Sequence, residues 1–203
     1  MWALWGSHRT GKSSLAKAAA KEMNIPFVRS DVSGVLDSLG LDASKQMDFV
    51  TRMKAQHAIL DAHIGLWKKH RLFVTDRCPL DFLMYTVADI DQSGDWDDSV
   101  IQDYADRCYD LTNMYFTELI LVQPGIPLVV DKKNTGVMDK SFIFKLNVIA
   151  KGLMWDERLQ VNSCQIREGL LDFNKRLETV CEVFNESLDP INNEREAVQA
   201  VLH

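Results

Sequence analysis

The sequence predicts an α/β fold with three layers, in which helices cover both faces of a mostly parallel, five-stranded sheet. Short apolar runs recur along the 203 residues at intervals that leave room for a helix between them. These runs are apolar throughout and do not alternate, which is typical of strands buried on both faces. The segments between them carry apolar residues at helical spacing, so strands and helices alternate as in a layered α/β/α domain.

The N-terminal half predicts three strands and two helices. Residues 2–5 are an apolar run that forms the first strand, and residues 14–23 are rich in strong helix formers. Residues 25–30 predict the second strand, because their proline favours a strand start over a continued helix. Residues 44–70 follow a mostly helical pattern, and residues 71–75 predict the third strand.

The C-terminal half predicts two further strands and two helices. Residues 80–88 predict a helix, and residues 91–98 are acidic, contain glycine and predict a solvated loop. Residues 118–122 predict the fourth strand, which a Pro–Gly pair ends. Residues 158–162 predict a short fifth strand, and the tail at residues 166–187 follows a helical pattern.

Residues 125–154 form an insertion that is longer than a usual connection between a strand and a helix. It carries five lysines and no arginine, namely Lys132, Lys133, Lys140, Lys145 and Lys151. A cationic insertion between two strands predicts a mobile lid over bound phosphates. The alternative is a surface helix with ordinary lysines, and the sequence leaves both open.

Length and charge limit the classes of function. The chain fits one globular domain, residues 1–203, and is long enough to bury a good core. Its 23 basic and 29 acidic residues give a net charge of −6, the opposite of what binding to nucleic-acid phosphates favours. A DNA or RNA partner is therefore disfavoured, while the oligomeric state is left open.

Cysteines and histidines give no sign of a metal site. The four cysteines are widely spaced, without a C-x-x-C pair, so we expect free thiols in a reducing compartment. The three histidines within residues 44–70 lack the i, i+4 spacing of metal-binding helices, so we expect surface or packing roles. The first strand begins at residue 2 and no run of about 18 apolar residues occurs, so we expect a cytoplasmic protein without a membrane partner.

Residues 6–13 match the complete pattern GxxxxGK[ST] between the first strand and the first helix. In such a loop, successive backbone N–H groups point at an anion, and Gly6 and Gly11 allow the close approach that a side chain would block. Lys12 can reach the β- and γ-phosphates, and the Ser13 hydroxyl can ligate Mg²⁺. We therefore expect ATP and Mg²⁺ as cofactors. The expected contacts are Gly6, His8, Arg9, Thr10, Gly11, Lys12, Ser13 and Ser14.

Asp76 and Arg77 follow the third strand, at the edge where open α/β sheets bind ligands. The Asp76 carboxylate can hold Mg²⁺ through water or accept a proton, and the Arg77 guanidinium can fork onto a phosphate. A structural ion pair is the alternative. Asp31 closes the second strand, where it can contact an acceptor or cap the next helix. We expect Asp31, Arg77 and Asp81 to contact the substrate.

The chain resembles the nucleoside and nucleotide kinase-like P-loop proteins. The resemblance is strongest to the small phage-type deoxynucleoside monophosphate kinases and the kinase domain of bacterial nicotinamide-nucleotide enzymes. It rests on residues 6–14, residues 74–81 with Tyr85 and Thr86, and residues 122–124. It implies a P-loop NTPase fold and an Mg²⁺–ATP phosphotransferase, most simply one that acts on a deoxynucleoside monophosphate.

The resemblance also implies roles for single residues. Asp76 and Arg77 would be catalytic residues at the phosphoryl-transfer site, Asp76 as the metal-organising or base-like carboxylate and Arg77 as a substrate or phosphate contact. Lys12 of the loop would be the third catalytic residue. Arg167 would stack on adenine. Relatives usually carry arginines in the lid, whereas residues 125–154 have lysines only, which supply charge without a bidentate fork.

Two other functions fit parts of the sequence. A related P-loop kinase that phosphorylates 5-hydroxymethyluracil in phage DNA would use the lysine-bearing insertion as a basic groove. A nucleotide-sensing module would bind ATP without turnover. A GTPase switch is disfavoured because the chain has no N-K-x-D motif for guanine.

Overall fold

The computed structural model describes residues 1–42, 45, 47–90, 96–125 and 140–201, with the backbone alone from residue 189 onward. Its strands are β1 (Trp2–Trp5), β2 (Phe27–Val28), β3 (Val74–Thr75), β4 (Glu118–Val122) and β5 (Asn162–Ile166). They form one sheet in the order β2-β3-β1-β4-β5, and every neighbouring pair is parallel. The predicted five-stranded parallel sheet is confirmed.

Helices connect the strands. They are α1 (Lys12–Glu22), α2 (Val32–Ser38), α3 (Phe49–Trp67), α4 (Pro79–Ile90), α5 (Asp98–Tyr115), α6 (Lys140–Met154) and α7 (Phe173–Val201). The sequence pattern did not predict α5, and it indicated α2 only through the alternative that Asp31 caps the next helix. In the described part of the chain, none of these helices is long and apolar enough to cross a membrane.

The central strand β1 divides the core into two layers. Trp2 and Leu4 point to the face covered by α1 and α7, where Trp2 stacks on Phe184 with ring centroids 4.5 Å apart. Ala3 and Trp5 point to the opposite face, which packs against α3, α4, α5 and α6. All four β1 residues are buried, which explains the uninterrupted apolar run and confirms the three layers.

The fifth strand lies further along the chain than residues 158–162. Before the strand, side chains hold the backbone against α5: Arg158 Nη1 donates to Asp106 Oδ1 at 2.7 Å, and Gln160 N donates to Asn113 Oδ1 at 2.9 Å. The ladder with β4 therefore begins only at β5 itself. The prediction placed the strand four residues too early because these tertiary contacts leave no periodic signal.

Helix starts follow capping aspartates more closely than they follow apolar patterns. Asp48, Asp97 and Asp172 accept backbone hydrogen bonds at the starts of α3, α5 and α7. The helix predicted at residues 44–70 therefore starts at Phe49, and the one predicted from residue 166 starts at Phe173. Most of the predicted acidic loop, residues 91–95, lies outside the described residues.

The predicted lid falls into two parts. Its second half is α6, which buries Ile143, Leu146 and Ala150 and packs on α4. Lys145 Nζ donates to the Ala88 carbonyl at 2.8 Å. Residues 140–154 have the packing expected of the alternative, a surface helix. Residues 126–139, with Lys132 and Lys133, lie outside the described residues, and for them the lid stays a prediction.

The cysteines and the buried histidine behave as the sequence indicated. All four cysteines are free thiols. His63 is buried in α3, where its ring nitrogens contact Ser30 Oγ at 2.6 Å and the Ile59 carbonyl at 2.7 Å. This histidine has a packing role.

Glu118, the first residue of β4, gives a testable pH effect. Burial raises the pKa of its carboxyl from 4.5 to about 7, with a smaller contribution from Glu186. Because folding raises this pKa, the carboxyl stabilises the fold only while protonated, and its contribution is lost as pH rises through about 7. We expect Glu118→Gln to raise the free energy of unfolding at pH 8 by about 1 to 3 kcal/mol.

Urea unfolding at pH 8 and pH 5 measures this effect, and the gain should shrink toward pH 5. Glu178→Gln, on the exposed face of α7, is the matched control. An equal gain at both pH values would contradict the assignment.

Candidate active site

The loop between β1 and α1 has the backbone that phosphate binding requires. Gly6 adopts φ 122° and Gly11 adopts φ 83°, both in the region that favours glycine. A Cβ on Gly6 would lie 2.9 Å from Leu121 Cδ1 and 3.0 Å from the Val122 carbonyl oxygen. No side chain of the described residues caps the first turn of α1. The N–H groups at this helix start are therefore suited to an anion.

Lys12 is buried beneath the loop. Only 6% of it is exposed, and its Nζ donates to the Ser7 carbonyl at 2.7 Å. Burial, with a smaller contribution from the positive charge of Arg77, lowers the pKa of Lys12 to about 8, against the carboxylates of Asp81 and Asp76. A phosphate bound next to this ammonium group would stabilise its charged form and raise its pKa.

Ser13 and Asp76 meet at the carboxyl edge of the sheet. The Ser13 hydroxyl donates to Asp76 Oδ2, and Asp76 Oδ1 accepts from the Ser30 backbone N–H at 3.2 Å. A hydroxyl beside a carboxylate is an oxygen set that suits Mg²⁺. Among the described residues no group of three or more His, Cys, Asp or Glu could hold a metal alone. Ser13 and Asp76 would therefore share Mg²⁺ with phosphate oxygens and water.

Asp81 does not have the predicted role of a substrate contact. Its carboxylate is fully buried and accepts from Gly6 N at 3.2 Å and from Cys78 N at 3.1 Å. Burial raises its pKa to about 6, against the positive charges of Arg77 and Lys12. The carboxylate lies in the interior, where its hydrogen bonds connect Gly6, the first residue of the phosphate loop, to the backbone just before α4.

Arg77 lies between this buried carboxylate and an open cavity. Its Nη1 is 3.6 Å from Asp81 Oδ1, and its guanidinium carbon lies 5.3 Å from the centroid of the Tyr85 ring. About a quarter of the side chain (24%) is exposed. The ion pair and the aromatic face fix the guanidinium while leaving part of it available to a phosphate.

Asp31 and Arg167 lie at the same edge of the sheet. Asp31 Oδ1 accepts from Gly34 N at 3.0 Å and caps α2, so the capping alternative is the one observed. A role in binding an acceptor stays a proposal for this residue. Arg167 is exposed directly after β5, and its contact with adenine is likewise a proposal.

A cavity of about 540 Å³ adjoins the phosphate loop. Its volume is in the range of small-molecule binding sites. The apolar walls come from Val32, Leu36, Met47, Ala55, Ile59, Phe82 and Phe142. The polar lining comes from His8, Arg9, Arg52, Gln56, Arg77, Tyr85 and Asp89. A concave site that combines apolar walls with polar groups is typical of small-molecule binding.

Four polar residues of the cavity were not predicted as site residues, namely Arg52, Gln56, Tyr85 and Asp89. Arg52 and Asp89 form an ion pair, and Gln56 lies one turn after Arg52 on α3. The i, i+4 spacing of Arg52 and Gln56 was the one available signal, because it places both on one helix face. Nothing in the sequence pairs Arg52 with a residue 37 positions away.

His8 lies on the side of the loop that faces the cavity. Its Nδ1 is 3.3 Å from the Tyr85 hydroxyl, and its ring centroid is 5.9 Å from that of Phe142. Although predicted as a nucleotide contact, His8 lines the cavity. Together with Arg9 and Arg77 it belongs to the boundary between the phosphate loop and the cavity.

Comparisons with known proteins agree with this architecture. The model of the AAA family, ATPases associated with various cellular activities, matches residues 2–64, which contain the phosphate loop. No curated protein sequence matches the chain. Deoxyadenosine kinase from M. mycoides, with dCMP and a flexible dCDP bound, superposes with a TM-score of 0.63 at 16% identity. The match covers 91% of this chain and 98% of that one.

Two further solved structures share the fold. Thymidylate kinase from Candida albicans gives a TM-score of 0.61 at 12% identity over 92% of each chain. The YorR protein from Bacillus subtilis, in complex with phosphorylated GDP, gives 0.53 at 10% identity over 93% of this chain and 96% of that one. The fold is that of the P-loop nucleoside and nucleotide kinases, which confirms the predicted fold class.

The pKa of Lys12 predicts proton uptake on nucleotide binding. Near pH 8 about half of the free protein carries a neutral Lys12. A triphosphate against the amine raises its pKa, so we expect ATP binding at pH 8 to take up about half a proton per site and to weaken at higher pH.

Calorimetry of Mg²⁺–ATP binding in two buffers of different ionisation enthalpy measures the uptake. It should vanish at pH 6.5, where Lys12 is already charged, and in Lys12→Arg, whose guanidinium stays protonated. If Lys12→Arg still takes up a proton on ATP binding, the proton binds to a group other than Lys12.

Proposed function

We propose that the protein is an Mg²⁺–ATP-dependent phosphotransferase that acts on a nucleoside or nucleotide, with a deoxynucleoside monophosphate as the favoured acceptor. One observation carries the proposal: the phosphate loop and the 540 Å³ cavity adjoin, and His8, Arg9 and Arg77 line their common boundary. An acceptor in the cavity would present an oxygen to the γ-phosphate held by the loop. Holding both reactants in one site in this way lowers the entropic cost of bringing them together.

On the donor side, the chain's own groups bind and neutralise phosphate. The loop N–H groups and Lys12 would hold the β- and γ-phosphates, while Ser13 and Asp76 would hold Mg²⁺. Mg²⁺ would supply charge neutralisation across the phosphate oxygens. Arg77, fixed by Asp81 and by the Tyr85 ring, would place a further positive charge beside the transferred group.

On the acceptor side, the cavity would position a base and exclude water. The apolar walls from α2, α3 and α4 would cover the faces of the ring. Gln56 offers both an amide donor and an acceptor, which suits the hydrogen-bonding edge of a base. The Arg52–Asp89 pair provides a fixed charge distribution at the same cavity. We infer that these three residues select the base.

The cavity favours a free nucleotide over a base within DNA. A base in a duplex would have to be flipped out, and duplex binding relies on neutralising many phosphates. The chain carries a net charge of −6. The lysines Lys132 and Lys133, which would form the basic groove, lie outside the described residues.

Transfer of labelled phosphate from Mg²⁺–ATP to a panel of acceptors tests the proposal. The panel contains free nucleosides, their monophosphates, and normal and hydroxymethylated DNA, each at two salt concentrations. We expect transfer to a deoxynucleoside or its monophosphate. Transfer to DNA that falls steeply with salt would favour the DNA kinase, and tight ATP binding without any transfer would favour a nucleotide sensor.

Asp76→Asn tests the role of the carboxylate at the reacting centre. Asparagine keeps the shape and one oxygen acceptor but removes the charge that would organise Mg²⁺ or accept a proton. We expect kcat to fall on the order of a hundredfold or more, with ATP affinity changed by only a few-fold. Steady-state kinetics and ATP titration measure both. A mutant that loses melting temperature but keeps its kcat would show a purely structural role.

Gln56→Leu tests the assignment of the cavity to the acceptor. Leucine has a similar size but cannot pair with a base edge, so we expect the acceptor KM to rise about tenfold or more. The KM for ATP should stay within about twofold. Gln102→Leu, on the exposed face of α5, is the control. A rise in both KM values would remove Gln56 from the acceptor site.

A further inference from the structure

Arg176, in the first turns of α7, is a buried arginine that the phosphotransferase described above does not use. It is 1% exposed, and it lies far along the chain from the phosphate loop. Within the described part of the chain, no carboxylate forms an ion pair with it. Burial lowers the pKa of its guanidinium. A buried charge without a partner of opposite sign is costly, so the hydrogen bonds that the guanidinium makes must offset its loss of hydration.

The guanidinium joins two loops at the carboxyl edge of the sheet. Nη1 donates to the carbonyl of Thr10, inside the phosphate loop, at 3.0 Å, and Nε donates to the carbonyl of Leu170. Leu170 belongs to the segment between β5 and α7, which begins with Arg167. Nη2 is buried and finds no hydrogen-bond partner among the described residues. One side chain therefore connects the loop expected to hold phosphate with the segment expected to hold the adenine.

The bond to Thr10 fixes the direction of one loop N–H group. In a trans peptide the carbonyl and the following N–H point in opposite directions. Because Arg176 holds the Thr10 carbonyl, the N–H of Gly11 must point away from α7. Gly11 has φ 83°, in the region that favours glycine, and its carbonyl accepts from Leu15 N at 3.0 Å. The contact with Arg176 adds a separate restraint on the preceding carbonyl, that of Thr10.

We propose that Arg176 is a positioning residue of the donor nucleotide site: it orients the Thr10–Gly11 peptide toward the phosphates and ties that peptide to the 167–172 segment. Its uncompensated charge adds to the positive potential behind the loop, which a bound triphosphate offsets. This inference rests on the proposed use of the loop for ATP. It predicts that Arg176 acts on phosphate recognition more than on recognition of the base.

Binding of adenosine, AMP, ADP and ATP, each with Mg²⁺, to three variants tests the proposal. Arg176→Met keeps the length and apolar stem but removes the charge and both hydrogen bonds. We expect its ATP affinity to fall about thirtyfold and its adenosine affinity by less than about threefold, with ADP between them. Arg176→Lys keeps the charge and can reach one carbonyl, so its loss for ATP should be partial, about fivefold. Lys175→Met removes an exposed charge from the same turn and should change nothing.

A merely structural arginine would give a different pattern. In that case the melting temperature would fall, and the affinities for all four ligands would fall by one common factor, which would overturn the proposal. If Arg176→Met does not fold, the same comparison is made with Arg176→Lys, whose losses must still increase with the number of phosphates. Failure of the proposed function is a separate outcome: the variants' losses of affinity would still increase with the number of phosphates, while wild-type protein would transfer no phosphate to any acceptor.

Discussion

The candidate site depends on one buried carboxylate, that of Asp81. Two cationic side chains, Lys12 and Arg77, are drawn into the interior beside the phosphate loop, and each loses hydration there. Asp81 balances them while accepting the N–H groups of Gly6 and Cys78. Because one acid serves four groups, the start of the phosphate loop, the end of β3 and the N-terminus of α4 are held in a fixed relation. Its own pKa is raised to about 6, because burial destabilises the charged carboxylate.

The layered fold could be predicted because its signals are local. A strand buried on both faces must be apolar at every position, and β1 shows this in four consecutive residues. The loop that follows requires glycine where the backbone touches Val122, so the motif is fixed by sterics. The last strand was misplaced because Arg158 and Gln160 are held by side chains of α5, and contacts of that kind leave no period in the sequence.

The candidate site also contains one part that is encoded by local sequence and one part that depends on tertiary packing. The proposed donor side consists of consecutive residues of one loop, so a single motif was enough to name Lys12 and Ser13 as candidates. The pairing of Ser13 with Asp76 could also be expected, since both follow neighbouring parallel strands. The cavity proposed for the acceptor is formed by residues of several elements, and Gln56 of α3 meets the Arg52–Asp89 pair only after α3 and α4 pack. Asp81 was misassigned because sequence distance from Arg77 does not tell whether a carboxylate faces a cavity or the core.

The phosphate loop and the cavity differ in how many substitutions they can accept. A substitution in the phosphate loop must keep the positive φ of Gly6 and Gly11. It must also preserve the ion pair of Asp81 with Arg77 and the contact of Arg176 with Thr10. We therefore expect few substitutions in this loop to be compatible with phosphate binding. The cavity residues of α3 and α4 are supported by apolar packing on one side and face open space on the other. A change at Gln56 or at the Arg52–Asp89 pair therefore alters the shape and polarity of the cavity without disturbing the loop. Under the proposed function, we therefore expect acceptor preference to change more readily than phosphate binding. The same division explains why the sequence motif points to a phosphate-binding loop but does not identify an acceptor.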